Sequence, residues 1–229
     1  MMDMTIVVMC KAPVQGKVKT RLMTKYSALE AMQWHEAMAY TVIERAKRMF
    51  TDVVIAVDDV KHPFFKLFEL PLLAQGVGDL GARMVRMMQQ VCPNDEAVLF
   101  LGTDSPHMQD IRLLQTVDAL QTHDVVLGAV EDGGYDLIAM RKPCAAMLQG
   151  VDWGTEKVLQ QSVNKANALG LSYHILSVSF DIDTPEMLER AIQMGWAKEF
   201  EYESSASSSH TTPSSPSSAC VEGLSLDSR

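Results

Sequence analysis

The sequence predicts a three-layer α/β/α domain built on a mostly parallel sheet. Apolar runs of strand length alternate along the chain with longer segments whose apolar residues recur at helical spacing. The chain has 229 residues, of which 47% are hydrophobic, enough for one large globular core. Serine supplies nine of the fifteen residues from Ser204 to Ser218. We therefore expect one domain over residues 1–199 and a disordered Ser/Pro-rich tail over residues 200–229.

Strands are predicted where β-branched and large apolar residues run together and end at turn-forming residues. The first of these strands is expected near the centre of the sheet. The predicted strands are Thr5–Cys10, Asp52–Asp58, Val98–Leu101, Asp124–Val130, Leu137–Met140 and Tyr173–Val178.

Helices are predicted where the apolar spacing changes to three and four residues. A segment opening at Trp153 runs to about Leu169, with Thr155 or Asp152 as its cap, and Pro185 suits the first turn of the last helix. The other predicted helices are Ala28–Met49, Phe64–Phe68, Ala82–Val91, Ile111–Leu120 and Glu186–Met194.

The composition restricts the possible partners. The formal net charge of −9 argues against a nucleic-acid partner, because nucleic-acid-binding surfaces are normally basic. No apolar run approaches the roughly 18 residues of a membrane span. Met1–Cys10 lacks the basic start and the cleavage pattern of a signal peptide, so we expect a cytoplasmic protein. The four cysteines contain no C-x-x-C pair and predict neither a zinc site nor a disulfide framework.

A carboxylate follows the most apolar strand. Val98–Leu101 leads through Gly102 and Thr103 to Asp104, and Pro106 then prevents the strand from continuing. Because ligands in open α/β sheets bind beyond the carboxyl ends of the strands, Asp104 should face a cleft. One carboxylate on a stiff turn suits Mg²⁺ or Mn²⁺, which also bind substrate phosphates. The alternative is a helix-capping or turn aspartate.

A basic loop follows the first strand. Lys11, Lys17, Lys19 and Arg21 lie in one short segment that Pro13 and Gly16 bend. Backbone N–H groups, lysine charges and an arginine fork can together bind a di- or triphosphate. The spacing differs from that of a Walker A loop. The alternative is a solvated basic loop, although such local positive charge is unusual in an acidic protein.

Two glycine-containing segments are further candidates. Gln75–Gly81 contains a formal G-x-G-x-x-G, but its position in mid-chain disfavours a dinucleotide site; the segment instead suits close approach to a flat base. Glu131–Asp136 contains paired glycines and predicts a hairpin turn that brings acidic groups and a tyrosine together. The alternative there is a hairpin with an exposed acidic tip. Trp153 either stacks on a substrate or fills the core.

The segment Asp181–Pro185 has two interpretations. Its Asp-x-Asp after an apolar run resembles the nucleophile motif of haloacid-dehalogenase-type phosphatases. In that motif the threonine comes one position later, and the catalytic domain follows rather than precedes it. We therefore favour the simpler interpretation, in which Thr184 and Pro185 begin the last helix.

Five motifs in order carry a family resemblance. They are Lys-Ala-Pro-x-x-Gly-x-x-Lys-Thr-Arg-Leu at Lys11–Leu22, Gly-Asp-Leu-Gly-x-Arg-Met at Gly78–Met84, Leu-Gly-Thr-Asp-Ser-Pro at Leu101–Pro106, Glu-Asp-Gly-Gly-Tyr at Glu131–Tyr135 and Asp-x-Asp-Thr-Pro at Asp181–Pro185. Together they resemble the bacterial GT-A-like transferases associated with radical-SAM/selenodomain proteins, also called arsenosugar-biosynthesis glycosyltransferases. That family has the nucleotide-diphospho-sugar transferase fold and is similar to 2-phospholactate guanylyltransferase.

The residues and the resemblance together predict a site in four parts. Asp104 and Asp183, with Asp181 as a further partner, would bind the Mg²⁺ or Mn²⁺ cofactor, and Asp104, Asp132 and Glu131 would be catalytic. Substrate residues would be Gly133, Gly134, Tyr135 and Trp153. The nucleotide-binding residues would be Lys11, Pro13, Gly16, Lys19, Thr20, Arg21, Gln75 and Gly78.

Two reaction classes fit these residues, and both use a nucleotide donor with a small-molecule acceptor. In glycosyl transfer from a nucleotide sugar, the metal would neutralise the leaving nucleoside diphosphate while Glu131 or Asp132 acts as base. In nucleotidyl transfer from an NTP, the metal and the basic loop would stabilise leaving pyrophosphate. A nucleotide-binding protein without catalytic activity is a third, less favoured class. The sequence does not fix the oligomeric state.

Overall fold

A computed structural model describes residues 3–92 and 96–197. Within them, seven strands form one sheet in the order β3-β2-β1-β4-β6-β5-β7. The strands are β1 Met4–Cys10, β2 Val53–Val57, β3 Leu72–Ala74, β4 Ala97–Gly102, β5 Val125–Val130, β6 Tyr135–Met140 and β7 Tyr173–Ser179. All neighbouring pairs are parallel except the two that involve β6. The predicted single α/β domain with a mostly parallel sheet is confirmed; the predicted tail, 200–229, lies outside the described residues.

The helices cover both faces of the sheet. They are α1 Ala28–Met49, α2 Leu80–Val91, α3 Asp110–Ala119, α4 Ala145–Leu148, α5 Val158–Ala168 and α6 Pro185–Gln193, with 3-10 turns at Thr20–Thr24 and Pro63–Phe68. The predicted bounds of α1 are confirmed, and Ser27 and Glu30 form a capping box at its start. None of the helices in the described ranges is long and apolar enough to cross a membrane.

One predicted helix begins later than expected, and one short helix is not predicted. The expected start at Trp153 is a series of turns in which Thr155 Oγ1 donates to the Asp152 carbonyl at 2.7 Å, so α5 begins only at Val158. Helix α4 has four residues, too few for a periodic pattern to be visible in the sequence.

Alternating residues of the central strands divide the core between two clusters. Ile6 of β1 and Leu99 of β4 pack with Val42 of α1 on one face of the sheet. Val7 and Phe100 pack with the α2 methionines on the other face. This alternation explains why β1 and β4 have nearly continuous apolar sequences, since both faces are covered.

A buried ion pair fixes the antiparallel hairpin β5–β6 against α3. Arg112 Nε donates to Asp136 Oδ2 at 2.9 Å and Nη2 donates to Oδ1 at 3.0 Å, and both side chains are less than 10% exposed. Arg112 also donates to the Ala129 and Ser177 carbonyls. A Cβ at Gly128 would clash with Asp136 Oδ1, so this position requires glycine. The pair thereby joins α3 to strands β5, β6 and β7.

Breaking this pair should destabilise the fold. Asp136→Ala leaves the Arg112 guanidinium buried without a counter-ion, which we expect to cost about 3–5 kcal/mol of unfolding free energy in urea denaturation. The matched control is Glu189→Ala, which removes an exposed ion pair with Lys25 and should leave the unfolding free energy nearly unchanged. A loss below 1 kcal/mol in Asp136→Ala would contradict this assignment.

Candidate active site

A cleft of about 540 Å³ lies at the carboxyl ends of the central strands. Its walls come from the basic loop, the start of α2, the turn after β4, the β5–β6 hairpin and the segment after β7. The predicted site residues that line it are Lys11, Lys19, Thr20, Arg21, Gln75, Asp104, Asp132, Gly134, Tyr135, Trp153, Asp181 and Asp183. Pro13, Gly16, Gly78, Glu131 and Gly133 are not among the lining residues.

Lys19 lies at the centre of the carboxylate cluster. Its Nζ is 2.7 Å from Asp104 Oδ1 and 3.1 Å from Asp183 Oδ1, and it donates to the Ile182 carbonyl at 2.7 Å. The lysine side chain is 5% exposed, whereas those of Asp104 and Asp183 are 45% and 39% exposed. All three ammonium donors are therefore used inside the protein, and both carboxylates remain accessible from the cleft.

The electrostatics of this cluster follow from burial and pairing. Burial opposes ionisation of both partners, but the carboxylates raise the pKa of Lys19 and the ammonium lowers the pKa of Asp104. Both groups are therefore charged at neutral pH. Asp181 differs, because burial and the nearby Asp104 charge raise its pKa to about 7.

Three polar contacts bring the segment after β7 to the end of β4. The Ile182 N–H donates to the Asp104 carbonyl at 2.8 Å. Ser105 Oγ lies 2.8 Å from the Phe180 carbonyl and 2.5 Å from Asp181 Oδ1. Strands β6 and β5 separate β4 from β7 in the sheet, so these contacts are what bring Asp183 to Asp104.

The two carboxylates fit a hard divalent cation that also binds phosphate oxygens. Asp104 and Asp183 both contact Lys19 Nζ and are partly exposed, and Mg²⁺ is commonly bound by only one or two carboxylates together with substrate phosphates. Asp181 is hydrogen-bonded to Ser105 instead. Among the described residues, no group of three or more Asp, Glu, His or Cys side chains is placed to hold a metal.

The basic loop is held by contacts at both of its ends. The Ala12 N–H donates to Asp58 Oδ1 at 2.6 Å, and the Lys11 carbonyl lies 2.9 Å from Nε2 of buried His35. Lys19 has φ 46° and ψ 42°, a left-handed conformation that turns the chain into the 3-10 helix. The Arg21 side chain stays 74% exposed at the cleft, with Nη1 3.3 Å from Asp183 Oδ2.

Gln75 is buried, and its amide orientation is fixed. Its Nε2 donates to the Ala56 carbonyl at 2.8 Å and to the Cys10 carbonyl at 3.3 Å. Its Oε1 accepts from Arg83 Nη1 at 3.3 Å. Gln75 therefore joins the ends of β1 and β2 to α2, and its side-chain oxygen lies on the Arg83 side.

The hairpin separates its two acidic residues. Asp132 lines the cleft and accepts from the Gly134 N–H at 2.8 Å. Glu131 instead accepts two hydrogen bonds of 2.8 Å from Arg190 Nη1 of α6. Tyr135 and Trp153 form an edge-to-face pair with ring centroids 6.1 Å apart on one wall of the cleft. Of the two predicted bases, Asp132 is the one that faces the cleft.

An aromatic stack supports the segment that carries Asp181 and Asp183. His107 stacks on Phe180 with ring centroids 3.9 Å apart, and the Arg190 guanidinium lies 4.0 Å from the Phe180 centroid. Burial and the nearby Arg190 charge lower the pKa of His107 to about 4. His107 is therefore neutral in the folded protein over most of the pH range.

Comparison with known proteins assigns the family. Residues 29–155 match the family described as "Uncharacterized protein conserved in bacteria (DUF2064)", which is more than half of the chain. The chain belongs to this DUF2064 family. A comparison with curated proteins found no match for this DUF2064 protein.

Solved structures give the fold. A proposed nucleotide-diphospho-sugar transferase from Desulfovibrio desulfuricans G20 is 30% identical, covers 80% of this chain and 84% of its own, and has a TM-score of 0.74. It places this DUF2064 protein in the nucleotide-diphospho-sugar transferase superfamily.

Two more distant structures share the fold alone. A CMP-2-keto-3-deoxy-manno-octonic acid synthetase in complex with CTP is 13% identical, with 84% and 98% coverage of the two chains and a TM-score of 0.57. Rv0371c from Mycobacterium tuberculosis H37Rv in complex with manganese is 14% identical, with 83% and 98% coverage and a TM-score of 0.52.

Among the Asp, Glu, Lys and Arg residues that line the cleft, sequence reasoning missed Arg83 and Asp136. Arg83 stands inside a motif quoted for the resemblance, yet nothing in its spacing indicates that its side chain faces the cleft. Asp136 is recognisable only through Arg112, which is distant in sequence and carries no motif.

The low pKa of His107 predicts acid destabilisation. The unfolded chain binds a proton at His107 near pH 6.5 and the folded protein only near pH 4, so the unfolding free energy should rise with pH between these values, by at most about 1.4 kcal/mol per pH unit. His107→Phe keeps an aromatic ring on Phe180 and should reduce this slope in urea titrations at successive pH values. Equal slopes in both proteins would mean that folded His107 is protonated normally.

Proposed function

We propose that this protein is a divalent-metal-dependent glycosyltransferase that transfers a sugar from a nucleotide sugar to a small-molecule acceptor. The observation that carries the proposal is the convergence, in one cleft, of the basic loop with the accessible carboxylates of Asp104 and Asp183. The five motifs shared with arsenosugar-biosynthesis glycosyltransferases support this specific activity. Free Cys10, Cys92 and Cys144 suit a reducing compartment, and we propose the cytoplasm.

The proposed mechanism gives each wall of the cleft one task. Lys11, Thr20 and Arg21 bind the donor diphosphate, and the Arg21 side chain is 74% exposed at the cleft. Mg²⁺ or Mn²⁺, held by Asp104 and Asp183, would supply positive charge for the leaving nucleoside diphosphate. Lys19 fixes the orientation of both carboxylates.

The acceptor wall has a candidate base. Asp132 faces the cleft, and the Gly134 N–H holds one of its carboxylate oxygens. In the proposed reaction the Asp132 carboxylate accepts the proton of the attacking acceptor hydroxyl. The ring pair of Tyr135 and Trp153 offers an apolar surface of the kind on which sugar rings pack.

Nucleotidyl transfer is the second candidate. The fold is shared with a synthetase solved with CTP, and the same loop cations would stabilise leaving pyrophosphate. Product analysis separates the two reactions, because glycosyl transfer releases a nucleoside diphosphate whereas nucleotidyl transfer releases pyrophosphate.

A donor screen tests the proposal. Nucleotide sugars and NTPs are incubated with the full-length protein, Mn²⁺ and pools of sugar, alcohol and phosphorylated acceptors. We expect turnover of a nucleotide sugar with release of nucleoside diphosphate, detected by mass spectrometry. Release of pyrophosphate from an NTP would replace the first candidate by the second. Binding of a nucleotide without either product would contradict both.

Removal of either metal-binding carboxylate should have a large effect on turnover. Asp104→Asn or Asp183→Asn removes a negative oxygen ligand, so we expect metal-dependent turnover to fall by at least about 100-fold. The double variant should lose little more, because residues acting on one ion are non-additive. Asp181→Asn should cost less, about 10–100-fold, because Asp181 contacts Ser105.

The control for these variants is Asp110→Asn, whose carboxylate pairs with Arg45 and Arg48 and does not line the cleft. It should leave turnover unchanged. Full metal-dependent activity in Asp104→Asn would rule out the shared ion.

A further inference from the structure

Arg83 is a cleft-lining cation with unused hydrogen-bond donors. It is half-buried in the first turns of α2; its Nε donates to the Gly78 carbonyl at 2.9 Å and its Nη1 to Gln75 Oε1 at 3.3 Å. A guanidinium has five N–H donors. Within the described ranges the other three have no acceptor, and Arg83 forms no ion pair with any described carboxylate. These N–H groups of Arg83 can therefore donate to acceptors on a bound ligand.

The acceptor that orients Arg83 is itself fixed. Gln75 is 4% exposed, and both neighbours of its Nε2 are backbone carbonyls, which can only accept. The amide nitrogen must therefore point at Cys10 and Ala56, and Oε1 must point at Arg83. The Gly78 carbonyl and Gln75 Oε1 therefore fix the orientation of the Arg83 guanidinium through its Nε and Nη1. Among the described residues, Nη2 has no hydrogen-bond acceptor.

The surroundings of Arg83 suit a flat, partly apolar group. Leu80 lies three residues before Arg83 and four before Met84, so on α2 it is a neighbour of both side chains. Leu80 and Met84 line the cleft with Phe100 of β4, and Leu80 is 38% exposed. A phosphate gains nothing from these apolar side chains, and the basic loop already provides phosphate-binding cations. A nucleobase can pack against these apolar side chains and can also accept hydrogen bonds from the Arg83 guanidinium.

We propose that Arg83 selects the nucleobase of the donor nucleotide and favours bases that present two adjacent acceptors. This inference rests on the proposed function, since it assigns a role within the same cleft. Guanine offers O6 and N7, and cytosine offers O2 and N3, to a two-pronged donor. Adenine places its amino group beside N7, and uracil places N3–H between its two carbonyls. Arg83 has no acceptor for those N–H groups.

The test compares four nucleoside diphosphates, GDP, CDP, ADP and UDP, by calorimetric titration with Mn²⁺. Wild-type protein should bind GDP or CDP about 10- to 100-fold more tightly than ADP and UDP. Arg83→Met should lose this preference by weakening the favoured nucleotides alone. Arg83→Lys keeps the positive charge but lacks the two parallel N–H donors of a guanidinium, and we expect it to lose the preference too.

Two controls separate base selection from other roles. Arg86 lies on the same helix and donates to the Gln75 and Val77 carbonyls at 2.6 and 2.9 Å, but does not line the cleft. Arg86→Met therefore tests whether weaker support of the segment from Gln75 to Val77 is enough to change base selection. We expect this variant to keep the preference for GDP or CDP. Arg21→Ala should weaken all four nucleotides by a similar factor, because phosphates are common to them.

The outcomes are distinct. A preference for GDP or CDP that disappears in both Arg83 variants supports the inference, and the ratio between the two identifies the base. Equal binding of all four nucleotides by wild-type protein overturns it, as does an equal weakening of all four in Arg83→Met. If none of the four binds the wild-type protein, the inference is overturned, whereas the proposed function is decided separately by the donor screen.

Discussion

The organisation of the cleft depends on one buried ammonium group. Lys19 Nζ cannot be buried without partners, because an unpaired charge in a protein interior costs several kcal/mol. Asp104, Asp183 and the Ile182 carbonyl supply those partners. The requirement draws together a loop after the first strand, a turn after the fourth and a segment after the last. It also explains the left-handed backbone at Lys19, which costs of order 1 kcal/mol and directs the side chain inward.

The cleft has two halves that are stabilised in different ways. The proposed donor half is held by hydrogen bonds to main-chain atoms, as when the Gln75 side chain bonds to the ends of β1 and β2. The proposed acceptor half lies on a hairpin that is fixed by the Arg112–Asp136 ion pair and, at its tip, by the Arg190–Glu131 ion pair. The first half therefore depends on main-chain contacts at the sheet edge, whereas the second depends on side-chain ion pairs.

Most of the fold could be predicted from the sequence, but less of the site. The apolar runs and helical spacing indicate nearly every element because burial on one or both faces leaves a periodic trace. The position of Asp104 and Asp183 at one edge of the sheet can also be predicted, because β4 and β7 run in the same direction and each aspartate follows the carboxyl end of its strand. The ion pairs of Lys19 with these two carboxylates could not be predicted, because the contact with Asp183 joins residues more than a hundred positions apart in the sequence. The ion pair of Glu131 with Arg190 and the position of Arg83 in the cleft could not be predicted for the same reason.

The sheet order has a consequence for synthesis on the ribosome. Strands β1 to β4 are neighbours in space and come from the first half of the chain, so this part of the sheet can form early. Asp183 comes 79 residues after Asp104 in the sequence and, at roughly 5–20 residues per second, is made several seconds later. Until then Lys19 has only one of its two carboxylates. The nascent chain therefore carries an incomplete cleft with a partly paired lysine, and the finished site appears only when the segment after β7 returns to the end of β4.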